Sequence, residues 1–243
     1  MNELLGVNVG VSQNLSRVAK IGGKRFVRVD MGDADHLKFV PIGGRLMNSF
    51  GVGGKMFEGD LIEFDAEKGT LKLLKTFEVA KAVTVSDTVL YISQGEGADY
   101  GYRHLPEAGN ILMKAPTGLT GKGTAAVMGV FTPTEITEGG KKIKVWKADI
   151  TAGALGALSK GDILVEAAEA GASKGMYVTN PNTFNPIECV FTNPVMKGED
   201  PFTGAIVTFA PIAEGLYYKK RMCPLPACVS TLNRSRIAAY FSL

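Results

Sequence analysis

Leu105 to Phe131 reads LPEAGNILMKAPTGLTGKGTAAVMGVF, and the parsing of this stretch decides the fold. A Pro-Glu-Ala-Gly turn opens it, Asn110 to Lys114 forms a short apolar strand, and Pro116 to Gly123 is a glycine-rich loop. Ala125 to Phe131 follows as a nearly all-apolar run, a pattern that predicts a strand buried on both faces in the core. The opening of the stretch recurs. Gly109-Asn110-Ile111-Leu112 has counterparts in Gly59-Asp60-Leu61-Ile62 and Gly161-Asp162-Ile163-Leu164, at intervals of 50 and 52 residues. The chain therefore reads as β-structure punctuated by one device.

Composition agrees with that reading. Glycine accounts for 30 of 243 residues, and long helical windows rich in Leu, Glu, Lys and Ala are scarce, which favours many short strands joined by tight turns. The expected class is all-β, with barrel- or sandwich-like domains and short helices, one of them near the C-terminus at Ala227 to Asn233. A length of 243 residues buries a core without disulfide staples. The net charge of +3, from 27 basic and 24 acidic residues, is too small and too evenly spread for a nucleic-acid footprint. No window reaches the roughly 18 apolar residues of a membrane span, and the N-terminus lacks the pattern of a secretory signal, so neither nucleic acid nor membrane is an expected partner. Three cysteines, Cys189, Cys223 and Cys228, leave at least one thiol free, with one disulfide, such as Cys223 to Cys228, still open.

Three regions follow from the order of patterns: residues 1–24 as an N-terminal arm or first strand, 25–95 as an N-terminal β region, and 96–243 as a C-terminal β-domain. Leu5, Val7, Val9 and Val11 alternate with Gly6, Asn8 and Gly10, a period-2 strand whose other face packs little. Such a segment serves as the first strand of the domain or as an arm that extends a neighbour's sheet edge. Asn14 to Lys20 suggests a short helix, as does Thr151 to Leu158. Leu61 to Phe64 and Leu71 to Leu74 flank a Glu-Lys-Gly-Thr turn, a hairpin by every local sign. Gln94 to His104, QGEGADYGYRH, is the most polar and aromatic loop. Tyr and Arg combine large buried area with fixed hydrogen-bond geometry at interfaces, so Tyr100, Tyr102, Arg103 and His104 are expected to contact a partner, together with Leu5, Val7 and Val9.

Patterns that would carry catalysis fail on their context, and no catalytic residue, cofactor or metal site is expected. A Walker A motif ending at Gly121-Lys122 needs glycine at 116 and Ser or Thr at 123, where Pro116 and Gly123 stand. G-x-G-x-x-G beginning at Gly51 meets Met56 at its last position. Gly171-Ala172-Ser173-Lys174-Gly175 satisfies G-x-S-x-G, but a nucleophile elbow needs a strand before and a helix after, and both histidines, His36 and His104, precede the serine. The Asp30, Asp33, Asp35, His36 cluster does not follow the spacing of a calcium loop. Cys223 and Cys228 form a C-x4-C pair, yet a structural zinc site takes four ligands and only Cys189 and two distant histidines remain.

From Leu105 onward the parts fall in a recognisable order. The Gly-Asn-aliphatic strand, the glycine-rich loop, AAVMGVF and a Lys-Gly-Asp-Ile-Leu strand lead to a late GLYYKKRM, a Pro-flanked short helix and RIAAYFSL. This order resembles the auxiliary capsid proteins of tailed bacteriophages, of the decoration or head-fibre type; the first 100 residues carry no such resemblance. It implies a non-enzymatic virion structural protein on the capsid exterior, assembled in the host cytoplasm. Its partners would be the major capsid protein, a head-fibre protein and further copies of the chain. Two other classes stand beside it: a glycan- or receptor-binding β module using Tyr100 and Tyr102, and a β-fold enzyme.

Overall fold

The structure, a computed structural model, describes residues 18–19, 38–39, 41–95, 103–195, 207–214 and 222–230. The all-β expectation holds. The described strands form sheets of three, five, three and seven members, among them a curled, half-barrel-like sheet, with one short helix near the C-terminus. The chain divides into two compact units, one made of Met1–Leu74, Asn180–Met222 and Leu232–Leu243 and the other of Lys75–Thr179 and Cys223–Thr231. These units are interleaved in sequence, since the core of the first draws on residues from both sides of the 75–179 segment, from Leu46 to Phe209.

The first unit begins with β1 (Val18–Ala19), β2 (Lys38–Phe39), β3 (Gly44–Leu46), β4 (Lys55–Met56), β5 (Leu61–Asp65) and β6 (Thr70–Leu73). Strands β5 and β6 are the expected hairpin, paired from Ile62–Leu73 to Asp65–Thr70. Its turn is tied by Asp65, whose Oδ1 accepts the Glu67 and Lys68 backbone N–H groups at 3.1 Å. The Lys68 backbone N–H, ahead of that residue's ammonium, holds the Asp65 carboxyl below its ordinary range.

The second unit supplies β7 (Thr76–Glu78), β8 (Val89–Ser93), β9 (Ile111–Lys114), β10 (Gly123–Val127), β11 (Thr132–Glu138), β12 (Lys141–Asp149), β13 (Ile163–Glu166) and β14 (Gly171–Lys174). Its five-stranded sheet runs β14-β10-β9-β13-β7, and its three-stranded sheet runs β11-β12-β8. The chain then returns to the first unit with β15 (Thr183–Phe184), β16 (Cys189–Phe191), β17 (Thr208–Phe209) and β18 (Ile212–Glu214). These complete a β1-β16-β4 sheet and a β17-β3-β6-β5-β15-β18-β2 sheet. Helix α1 (Ala227–Ser230) lies where the sequence placed a short C-terminal helix.

Each unit has its own core. In the first, Leu46, Met56, Leu71, Phe191 and Phe209 pack together, and the Phe50 and Phe191 rings lie 4.7 Å apart. In the second, Phe77, Leu112, Leu164 and Leu90 form the main cluster, with Ile143, Val145 and Ala80 in a smaller one under the β11–β12 hairpin.

Three local expectations are corrected. Val18–Ala19 is a strand paired with Phe191 and Val190, not part of a helix, since sheet partners distant in sequence override a weak local preference. Thr151 to Leu158 forms successive turns, closed by Ala154 N–H to Thr151 O at 3.0 Å and Gly156 N–H to Gly153 O at 3.1 Å. Positive φ at Gly153 and Gly156 interrupts any helix there. Ala125 to Phe131 is not buried on both faces: Ala125 and Met128 are buried, whereas Val127 is 61% and Val130 74% exposed. The strand β10 ends at Val127, so the apolar run extends past the sheet and its exposed members lie at and beyond the strand's end.

Candidate functional sites

The recurring Gly-Asx device is one structure built three times. In Phe57–Asp60, Glu107–Asn110 and Ser159–Asp162, the N–H of the fourth residue donates to the carbonyl of the first, at 3.1, 3.1 and 3.0 Å. The fourth side chain reaches back, so that Asp60 Oδ2, Asn110 Oδ1 and Asp162 Oδ2 each accept the N–H of the first residue at 2.7 Å. The third residue is left-handed, with φ of 84°, 86° and 85° at Gly59, Gly109 and Gly161, as a type II turn requires. Each turn then docks by a reciprocal pair of bonds. Gly59 N–H donates to Asn185 O and Asn185 N–H to Asp60 O, both at 2.8 Å. Gly109 and Asn110 make the same pair with Met128, and Gly161 and Asp162 make it with Val79. Strands β5, β9 and β13 start at the next residue, so the device sets where each strand begins.

His104 stands apart from the partner-facing loop expected of it. It is 2% exposed, and its Nδ1 accepts the Thr76 backbone N–H at 3.0 Å. The imidazole thereby takes up a backbone N–H at the edge of β7, the last strand of its sheet among the described residues. The other ring nitrogen, Nε2, faces Cys223 Sγ at 3.9 Å. Sequence spacing gave no sign of this Cys-His pair, since 119 residues separate its members. Arg103 is also withdrawn, with a side chain 13% exposed and a guanidinium Nη2 3.5 Å from Glu78 Oε2. Tyr100, Tyr102, Leu5, Val7 and Val9, and the Asp30 to His36 cluster, lie outside the described residues.

The other two cysteines have separate surroundings. Cys228 Sγ lies 4.0 Å from Met176 Sδ, Cys189 is enclosed in the first unit, and no disulfide joins any two of the three cysteines. Ser173, the serine of G-x-S-x-G, lies on β14 in an exposed bulge, where Ala172 and Ser173 together oppose Thr124 of β10. Its φ of 55° is the one left-handed value at a non-glycine among the described residues. A strand continues through it and no helix follows, so the elbow that would expose a nucleophile is not built.

One polar grouping is buried against the core of the second unit. Lys75 is 1% exposed, and its Nζ lies 3.5 Å from Glu166 Oε1. The same oxygen accepts a hydrogen bond from Asn110 Nδ2 at 3.1 Å. These residues lie at the ends of three adjacent strands, with Glu166 on the central β13, Lys75 just before β7 and Asn110 just before β9. The alternation of side chains puts them on the face that carries Phe77, Leu164 and Leu112. Of the three, only Asn110 belongs to a pattern visible in the sequence.

Searches against protein-family models, curated proteins and solved structures found no match to the chain.

Proposed function

We propose that the chain is a non-enzymatic structural protein of a tailed-bacteriophage particle, an auxiliary protein that binds the outside of the major capsid shell and stiffens it or carries a fibre. The observation that carries the reading is the order of parts from Leu105 to Leu243, set on an all-β framework. The energetics of that framework support it. Its recurrent polar residues are committed to closing turns and starting strands, and His104 accepts a backbone N–H at the start of a strand. A shell clamp needs such stiffness, because a binding surface that is already ordered loses little entropy on docking. The alternating segment at Leu5, Val7 and Val9 suits strand addition to a neighbour, and Tyr100 and Tyr102 suit a contact surface.

The test is binding of the purified chain to empty shells assembled from the major capsid protein of the phage that carries its gene, followed by sedimentation and electron cryomicroscopy. Saturable binding at a fixed number of copies per shell, on the exterior, is the expected outcome. Failure to co-sediment under any shell maturation state, with selective retention on a glycan array instead, overturns the proposal in favour of a receptor-binding module.

A further inference from the structure

The buried grouping of Lys75, Glu166 and Asn110 contains the parts of a reaction. A primary amine and a carboxamide meet a single carboxylate oxygen, at 3.5 and 3.1 Å, in a site where Lys75 is 1% and Asn110 8% exposed. The amide oxygen already receives a hydrogen bond, from the Glu107 backbone N–H to Asn110 Oδ1 at 2.7 Å. That donor is aimed where negative charge develops if the amide carbon is attacked, the geometry of an oxyanion hole. We propose that Lys75 and Asn110 close an autocatalytic isopeptide cross-link within the 75–179 segment, with Glu166 as the proton shuttle.

The chemistry balances with the groups present. In the first step Glu166 takes one proton from the Lys75 ammonium, which leaves a neutral amine able to attack and a carboxylic acid able to return the proton. A torsion of the Lys75 side chain carries Nζ from the carboxylate to Asn110 Cγ, and the new N–C bond places negative charge on Oδ1, against the Glu107 N–H. A second proton passes from Nζ to Nδ2 through the Glu166 carboxyl. The Cγ–Nδ2 bond breaks with its electrons on nitrogen, the carbonyl re-forms, and the departing ammonia takes the proton held by Glu166 and leaves as ammonium. One amide replaces another, and nothing is oxidised or reduced.

The comparison between turns points the same way. Asp60 and Asp162 fill the fourth position of the other two turns and make the same 2.7 Å bond to the backbone, so an acid suffices for the turn. The amide stands only in the copy that faces Glu166 and Lys75. Strand register supports the reach. Glu166 is paired across from Leu112 of β9, and Val165 across from Thr76, so the lysine and the asparagine flank the glutamate from its two neighbouring strands.

Peptide-level mass spectrometry of the intact purified protein tests the proposal. The expected result is a chain lighter by one ammonia, no tryptic cleavage after Lys75, and a branched peptide joining Lys75 to Asn110. Glu166→Gln keeps the shape of the shuttle without its acid–base function and is expected to slow cross-linking by about 10²-fold or more. Lys75→Arg keeps the charge without the amine and is expected to retain the full mass; it decides the matter if Glu166→Gln does not fold. A folded wild-type protein that still yields separate, unmodified Lys75 and Asn110 peptides after prolonged incubation overturns the proposal, as does an ammonia loss located at any other residue.

Discussion

Cys189 shows how strongly a single side chain is governed by its surroundings. Burial pushes its thiol up to about 12, with the nearby Asp60 and Glu188 charges acting in the same direction and the Met56 backbone hydrogen bond opposing them. The unfolded chain ionises this group near pH 9, so between about 9 and 12 the folded state holds more protons than the unfolded state. The stabilising contribution is therefore complete below pH 9 and is lost as pH rises toward 12. In urea titrations at pH 8 and pH 10.5, the stability lead of the wild type over Cys189→Ala is expected to shrink at the higher pH. A lead that stays constant would show that the thiol is not enclosed. The sequence allowed a count of cysteines but not this environment. The same limit explains His104: a histidine after Tyr-Gly-Tyr-Arg reads as a loop residue, and only the position of Thr76, 28 residues away, turns it into an edge cap.

At the level of elements, legibility follows the range of the interactions. The Gly-Asx turns could be read from the sequence because their chemistry is local: a left-handed residue and a side chain reaching back three positions. The β5–β6 and β11–β12 hairpins share that property. The run AAVMGVF misled because apolar composition alone cannot say where a strand ends: β10 stops at Val127, and Val127 and Val130 are exposed. Likewise Lys75 and Glu166, 91 residues apart in sequence, carry no mark of their meeting. The turn reading yields a measurable cost. A Cβ at Gly109 would meet no atom within 4 Å, so Gly109→Ala introduces no clash and isolates the penalty of holding an L-residue at φ 86°. Loss of about 1 kcal/mol of unfolding free energy is expected by chemical denaturation. A neutral effect would mean that the turn relaxes out of its left-handed form.

For the whole molecule, the consequence lies in which unit is continuous in sequence. Among the described residues, the second unit takes its eight strands from Lys75–Thr179, and α1 with its flanking residues comes from later. The first unit is assembled from both sides of that segment. In its seven-stranded sheet, β5 needs β15 and β3 needs β17; in its three-stranded sheet, the central β16 comes from after residue 180. A fragment 1–74 therefore has strands whose partners, and core residues such as Phe191 and Phe209, are missing. An unpaired edge and an incomplete core do not offset the conformational entropy of ordering the chain. The fragment is expected to give the circular dichroism of an unfolded chain and no cooperative melt. Fragment 75–179 is expected to show β-type dichroism and a cooperative transition, at a lower temperature than the intact protein because Cys223, Cys228 and Val229 no longer fill its core. A cooperative melt in 1–74 alone would contradict the interleaved assembly, since it would require the first unit's sheets to form without their later strands.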